Sequence, residues 1–153
     1  MLSAGISLLS SCNKFLDELP DDRAEINSTE KVDRLLVTAY PTHDIAFILE
    51  YSSDNVDCNG NQYACLPYQE SIYKWEDVEE TTGNDVPKAQ WNAHYTAIAT
   101  ANEALAALDK LEANDANNAL RAEALLCRAY SMFQLANLFC MSWNPEKADE
   151  YYG

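Results

Sequence analysis

The sequence predicts an all-α protein: helical hairpins carrying one long, irregular, aromatic-rich loop. Three observations lead there. Two stretches near the C-terminal end place apolar residues at helical spacing, Trp91 to Leu108 and Leu120 to Phe139. A third, shorter one runs from Val32 to Tyr40. Between them, residues 52–90 hold neither a 3.6 nor a 2.0 period.

Composition bounds the function. The chain has 153 residues, 48% hydrophobic and 23% charged, which suits one globular domain with a core. Net charge is −15, from 25 acids against 10 bases, a field that repels phosphate and so argues against a nucleic-acid partner. Only 4 glycines are present, and neither GxGxxG nor GxxxxGK[ST] occurs. No apolar run approaches the roughly 20 residues that a membrane-spanning helix needs. HExxH and GxSxG are absent, and no acid pair sits in a recognisable frame, so catalysis is not expected. No cofactor is implied.

The N-terminal stretch reads as an address. Residues 1–11, MLSAGISLLSS, carry no charge and lead into Leu9-Ser10-Ser11-Cys12, which looks like a bacterial lipobox. Small side chains flank the bond to be cut, and the cysteine thiol takes the lipid. Several acyl chains together anchor a protein stably where one does not. Residues 1–11 are therefore expected to be a signal peptide and Cys12 the lipidated first residue. A basic start is missing, so a truncated signal peptide with more sequence upstream is expected. Residues 12–26 then form an acidic tether, with Asp17, Glu18, Asp21 and Asp22 keeping it solvated and Pro20 keeping it extended.

The folded body is expected over residues 27–153. Asn27 with Glu30 suits a helix start. Val32, Leu35, Leu36, Ala39 and Tyr40 share one face, and Pro41 ends the helix. Residues 45–51, IAFILEY, read as a short helix or an extended approach to the core. Residues 52–90 follow as a long loop, and such loops are usually functional. Asp85 is the expected cap of the next helix, with Pro87 in its first turn. Trp91, Tyr95, Ile98, Asn102, Leu105 and Leu108 form its apolar stripe, to about Leu111. After the polar turn EANDANN, a helix from about Ala116 to Cys140 is apolar on nearly all sides and is expected to be buried. The two helices make an antiparallel hairpin similar to a tetratricopeptide unit. One unit cannot bury its own faces, so further helices downstream are expected.

The order of these features resembles one family. Lipobox, CNKFLDELPDD, LLVTAYP, SSDNV, the aromatic loop, Trp91-x3-Tyr95-x2-Ile98-x3-Asn102 and RAEALLCRAY follow one another as in the N-terminal part of SusD/RagB outer-membrane lipoproteins. The resemblance spans nearly the whole chain and about the first third of a typical member. It implies a lipid-anchored protein on the surface of Bacteroidota that binds a glycan, sometimes a peptide. It also implies a partner, a TonB-dependent transporter of the SusC type, and no enzymatic activity. The acids that follow Cys12 resemble a surface-export signal. Cys127 and Cys140 depart from the family pattern, which more usually has large apolar residues or Gly there.

Sugars present C–H faces to aromatic rings and hydroxyls to polar side chains. The ligand candidates are accordingly Asp54, Asn55, Asn61, Tyr63, Tyr68 and Trp75. The bland alternative for Tyr73 and Trp75 is packing against the first helix. Trp91 and Tyr95 are expected in the core, and Asn102 on a neighbouring backbone group. For Arg121 and Arg128, seven apart on one helix face, a structural salt bridge from another helix is expected. Glu123 lies about 200° round from Arg121 and cannot be its partner.

Of the five cysteines, Cys127 and Cys140 are about 20 Å apart along one helix, cannot bridge, and read as small core residues. Cys58 and Cys65 could bridge across the loop in an oxidising compartment. No metal-site spacing is present. Two other functions stay open: a tetratricopeptide-like adaptor that binds only proteins, and a remnant too short to fold alone.

Overall fold

A computed structural model describes residues 25–57, 65–147 and 150. The expected signal peptide, Cys12 and most of the tether lie outside these residues, as do Cys58, Asn61 and Tyr63. Every element found among the described residues is helical. They are α1 (Thr29–Leu36), α2 (Ala46–Tyr51), α3 (Pro67–Tyr73), α4 (Pro87–Leu108), α5 (Asp115–Phe139) and a 3₁₀ turn at Pro145–Lys147. The all-α expectation holds. IAFILEY resolves as a helix, and the expected 52–90 loop is interrupted by α3 and ends where α4 begins.

Helix α1 starts one residue later than expected. Ser28, not Asn27, is the N-cap, and its hydroxyl accepts from the Lys31 amide at 3.4 Å. Asn27 instead accepts from the Lys31 ammonium at 3.0 Å. Ser28→Ala is expected to cost about 1 kcal/mol, the usual worth of such a cap, read as a lower urea midpoint with unchanged slope. The helix also ends early, at Leu36 rather than at Pro41. The Thr38 hydroxyl donates to the Leu35 carbonyl at 2.8 Å, and the chain turns there. Ala39 still reaches the core, whereas Tyr40 turns half out to solvent.

Helix α4 has no side-chain cap. Val86, not Asp85, occupies the N-cap position, and Pro87 at N1 supplies the preset φ and needs no amide partner. Val86 is fully buried against Ile48, Tyr68 and Ile72, so packing replaces capping. Asn114 caps α5 by accepting from the Asn117 amide at 2.9 Å. The Asn117 side chain donates to the Glu112 carbonyl at 2.7 Å and accepts from the Thr29 hydroxyl at 2.8 Å. It thereby ties α1 to the α4–α5 turn.

Helices α4 and α5 form the antiparallel hairpin, and α1 lies across it. The core joins Val32, Leu36 and Ala39 to Ala101, Ala104, Ala107 and Leu108 of α4, and to Ala124 and Cys127 of α5. The buried face of α4 is thus an alanine face: Ala93, Ala97, Ala101 and Ala104 lie in the seam with Gln90 and His94. This corrects the aromatic stripe. Trp91 and Tyr95 are about half exposed, their rings 4.6 Å apart and tilted by 41°, with Phe139 edge-on to Trp91 at 5.1 Å. Small side chains let two backbones approach closely, and a tryptophan in the seam would hold them apart.

Asn102 does not bond backbone. It accepts from the Arg128 guanidinium at 3.0 Å, so Arg128 meets a neutral amide rather than an acid there. Arg121 does find its ion pair, with Asp109 at the end of α4, at 2.7 Å. Helix α5 is not buried all round. Ala124, Cys127, Ser131 and Leu135 face inward, while Leu126, Met132 and Phe133 are exposed. Cys140 is exposed rather than part of the core.

Candidate functional site

The small helices α2 and α3 pack on each other through Ile48, Tyr68 and Ile72. Their ends carry the polar and aromatic groups that the sequence singles out. Asp54 and Asn55 follow α2 in an exposed turn. The Asn55 amide already donates to the Glu50 carboxylate at 3.2 Å.

Tyr68 and Trp75, one aromatic at each end of α3, have opposite fates. Tyr68 is 6% exposed, and its ring packs under Gly83, whose φ of +138° suits glycine and where an added Cβ would press on the ring at 3.1 Å. A ring enclosed in this way offers no face to a sugar, so Tyr68 is a core residue rather than a ligand contact. Burial also raises its phenol pKa. Trp75 is 79% exposed, and it does not pack on the first helix.

The backbone at Trp75 is unusual. Helix α3 closes with Trp75 N–H donating to the Ile72 carbonyl at 3.1 Å and Glu76 N–H to the Ser71 carbonyl at 2.9 Å. This pair of bonds is the Schellman closure, in which the residue at the turn takes a left-handed conformation and is usually glycine. Here tryptophan takes it, at φ +58°. The left-handed region costs a residue with a Cβ about 1–2 kcal/mol, and exposure means that little packing offsets this. The sequence shows the tryptophan but not its backbone.

Cys65, the loop cysteine among the described residues, carries a free thiol. Among the described residues, no group of His, Cys, Asp or Glu is arranged to hold a metal ion.

Two clefts that sequence reasoning missed adjoin the chain between α1 and α2. One, of about 470 Å³, lies between Pro41, Thr42, His43, Asp44 and Tyr130. The other, of about 340 Å³, lies between Thr42 and the outward stripe Lys88, Asn92 and Thr96 of α4. Tyr40 and His43 line both. The Tyr40 hydroxyl donates to the Glu123 carboxylate at 2.7 Å, which pins the ring and pushes its pKa up, so the phenol stays protonated. The available signal was the alternation of Thr38, Tyr40, Thr42 and the i, i+4 spacing of Lys88, Asn92, Thr96, both outside the loop that drew attention.

The sequence profile of a SusD-like family, described as starch-binding and associating with the outer membrane, matches residues 14–151. The match takes in almost the whole chain. This chain belongs to the SusD-like family. Members are binding proteins rather than enzymes. No curated protein and no solved structure matches this SusD-like chain significantly. Among its described residues, no helix is long and apolar enough to cross a membrane.

Proposed function

We propose that this SusD-like chain is a cell-surface receptor that captures oligosaccharide and passes it to a SusC-type TonB-dependent transporter. Cys12 is its lipid anchor in the outer membrane. Trp75 is the principal stacking surface, with Asp54, Asn55, Asn61 and Tyr63 as candidate polar and aromatic partners. The observation that carries the ligand half is the exposed Trp75 in a left-handed turn. Strain of this kind, with no packing to offset it, collects at ligand sites, and an indole face suits a sugar's C–H surface.

One variant separates strain from function. Trp75→Gly puts the preferred residue in the turn and removes the ring. It is expected to raise stability by up to about 1 kcal/mol, the left-handed strain less glycine's entropy. It is also expected to weaken oligosaccharide binding at least tenfold, about 1.4 kcal/mol. Thermal melts and isothermal titration read the two effects. Unchanged affinity with higher stability would remove Trp75 from the site.

A protein-binding adaptor is the second reading, favoured by the exposed large apolar residues Leu126 and Phe133, which share one face of α5, and Met132 beside them. An adaptor would keep its partner in Trp75→Gly and lose it in Phe133→Ala.

A further inference from the structure

We propose that the cleft between the Thr38–His43 segment and α4 is a subsite for one neutral glycosyl unit, stacked on Tyr40. The proposal rests on the glycan reading above and adds a second place, remote in sequence from Trp75, where the chain touches its ligand.

The first argument is the platform. Tyr40 is 54% exposed, yet its hydroxyl is bonded to Glu123 on α5. An aromatic ring that is both open to solvent and fixed in place can stack on a sugar with little ordering cost at binding.

The second argument is the wall. Along α4, Lys88, Asn92 and Thr96 recur every four residues and so share one face of the helix. Opposite them stands Thr42. Hydroxyls, a carboxamide and an ammonium are the groups that exchange hydrogen bonds with sugar hydroxyls. At about 340 Å³ the cleft falls within the range of about 300–1,000 Å³ usual for small-molecule sites.

The third argument selects neutral sugars. The chain's net charge of −15 opposes a uronate or sulfated ligand. Lys88 is a single exposed cation against that field, and exposed charges are screened. Its ammonium donates hydrogen bonds to sugar hydroxyl oxygens and does not serve as the counter-charge of an acid.

The test is isothermal titration of the full chain with maltoheptaose, cellohexaose, xylohexaose and mannohexaose. For the glycan that binds, Tyr40→Ala and the double variant Asn92→Ala/Thr96→Ala are each expected to weaken affinity about tenfold, or about 1.4 kcal/mol. Tyr40→Phe keeps the ring but frees it from Glu123, and is expected to lose no more than about threefold, the ordering cost that the bond removes. Tyr40→Ala also breaks the Glu123 bond, so the Asn92→Ala/Thr96→Ala double variant decides the outcome. Asn92 and Thr96 are exposed on α4, so their double variant keeps its fold, checked by its melting curve. Wild-type affinity in the double variant overturns the subsite, and if Trp75→Gly still weakens binding the glycan reading survives. If no neutral glycan of the panel binds the wild-type chain, both fall together.

Discussion

Leu108→Ala is expected to lower the unfolding free energy by about 2–5 kcal/mol, the range for emptying a buried leucine site. Leu108 is 2% exposed, and it packs at the end of α4 where α1 crosses the hairpin. Its cluster joins Val32, Leu36 and Cys127 to five alanines, Ala39, Ala101, Ala104, Ala107 and Ala124, with Leu35, Leu105, Leu111 and Leu120 packed against it. Alanine has no rotamers with which to reach into a void, so the site refills only in part. Leu126→Ala is the control. Leu126 is exposed on the outer side of α5, and its loss is expected to change stability by no more than about 0.5 kcal/mol. Urea titration with a shared slope for both variants separates the two. Equal losses would mean that α5 buries its other face, and the packing described here would be wrong.

Acidification is expected to destabilise the hairpin through His94. The residue is 1% exposed in the α4–α5 seam, its ring 6.3 Å from that of Tyr130. Among the described residues neither ring nitrogen has a hydrogen-bond partner, and the same holds for Ser131 Oγ and Gln90 Oε1. Gln90 spends its amide on the Asp44 carbonyl, at 3.1 Å. Burial therefore lowers the imidazole pKa below its ordinary 6.5, and the negative charge of Asp44 opposes this only in part. The folded state refuses a proton that the unfolded state accepts. About one pH unit above 6.5 and higher, both states are almost wholly neutral at this residue and its contribution is flat. As pH falls from there, the unfolded chain binds more protons, so stability drops until the folded pKa has been passed.

Melting temperatures of the wild type and His94→Gln, measured from pH 7.5 to pH 5, isolate the effect. The carboxylates titrate in both and cancel in the difference. The wild type is expected to lose more than the variant over this window. Parallel curves would show His94 to be protonated freely in the folded chain, and hence not enclosed.

Much of this architecture was legible along the chain because it depends on neighbours in sequence. Pro87 at a helix start, the apolar spacing of two long runs, and the polar turn EANDANN between them are local signals, and the hairpin follows from them. The family resemblance came from the same ordered segments, and the profile match over residues 14–151 bears it out. The failures were of another kind. Counting large apolar residues put Trp91 and Tyr95 inside; the seam took Ala97, Ala101 and Ala104 instead, because close helix contact depends on small volume rather than on hydrophobicity. The same count made α5 apolar all round, although the contacts present enclose only one of its faces.

What the sequence determined by itself is the helical class, the hairpin, the acidic field and the family. Each rests on spacing, turn residues or composition, which need no distant partner. Only the tertiary structure decided that Tyr68 turns inward while Trp75 stands out in a left-handed turn. Only it brought Tyr40 to Glu123 and set Thr42 opposite Lys88, Asn92 and Thr96. Burial and juxtaposition are properties of what packs beside a residue, and for Tyr40 and Glu123 that neighbour lies 83 positions along the chain.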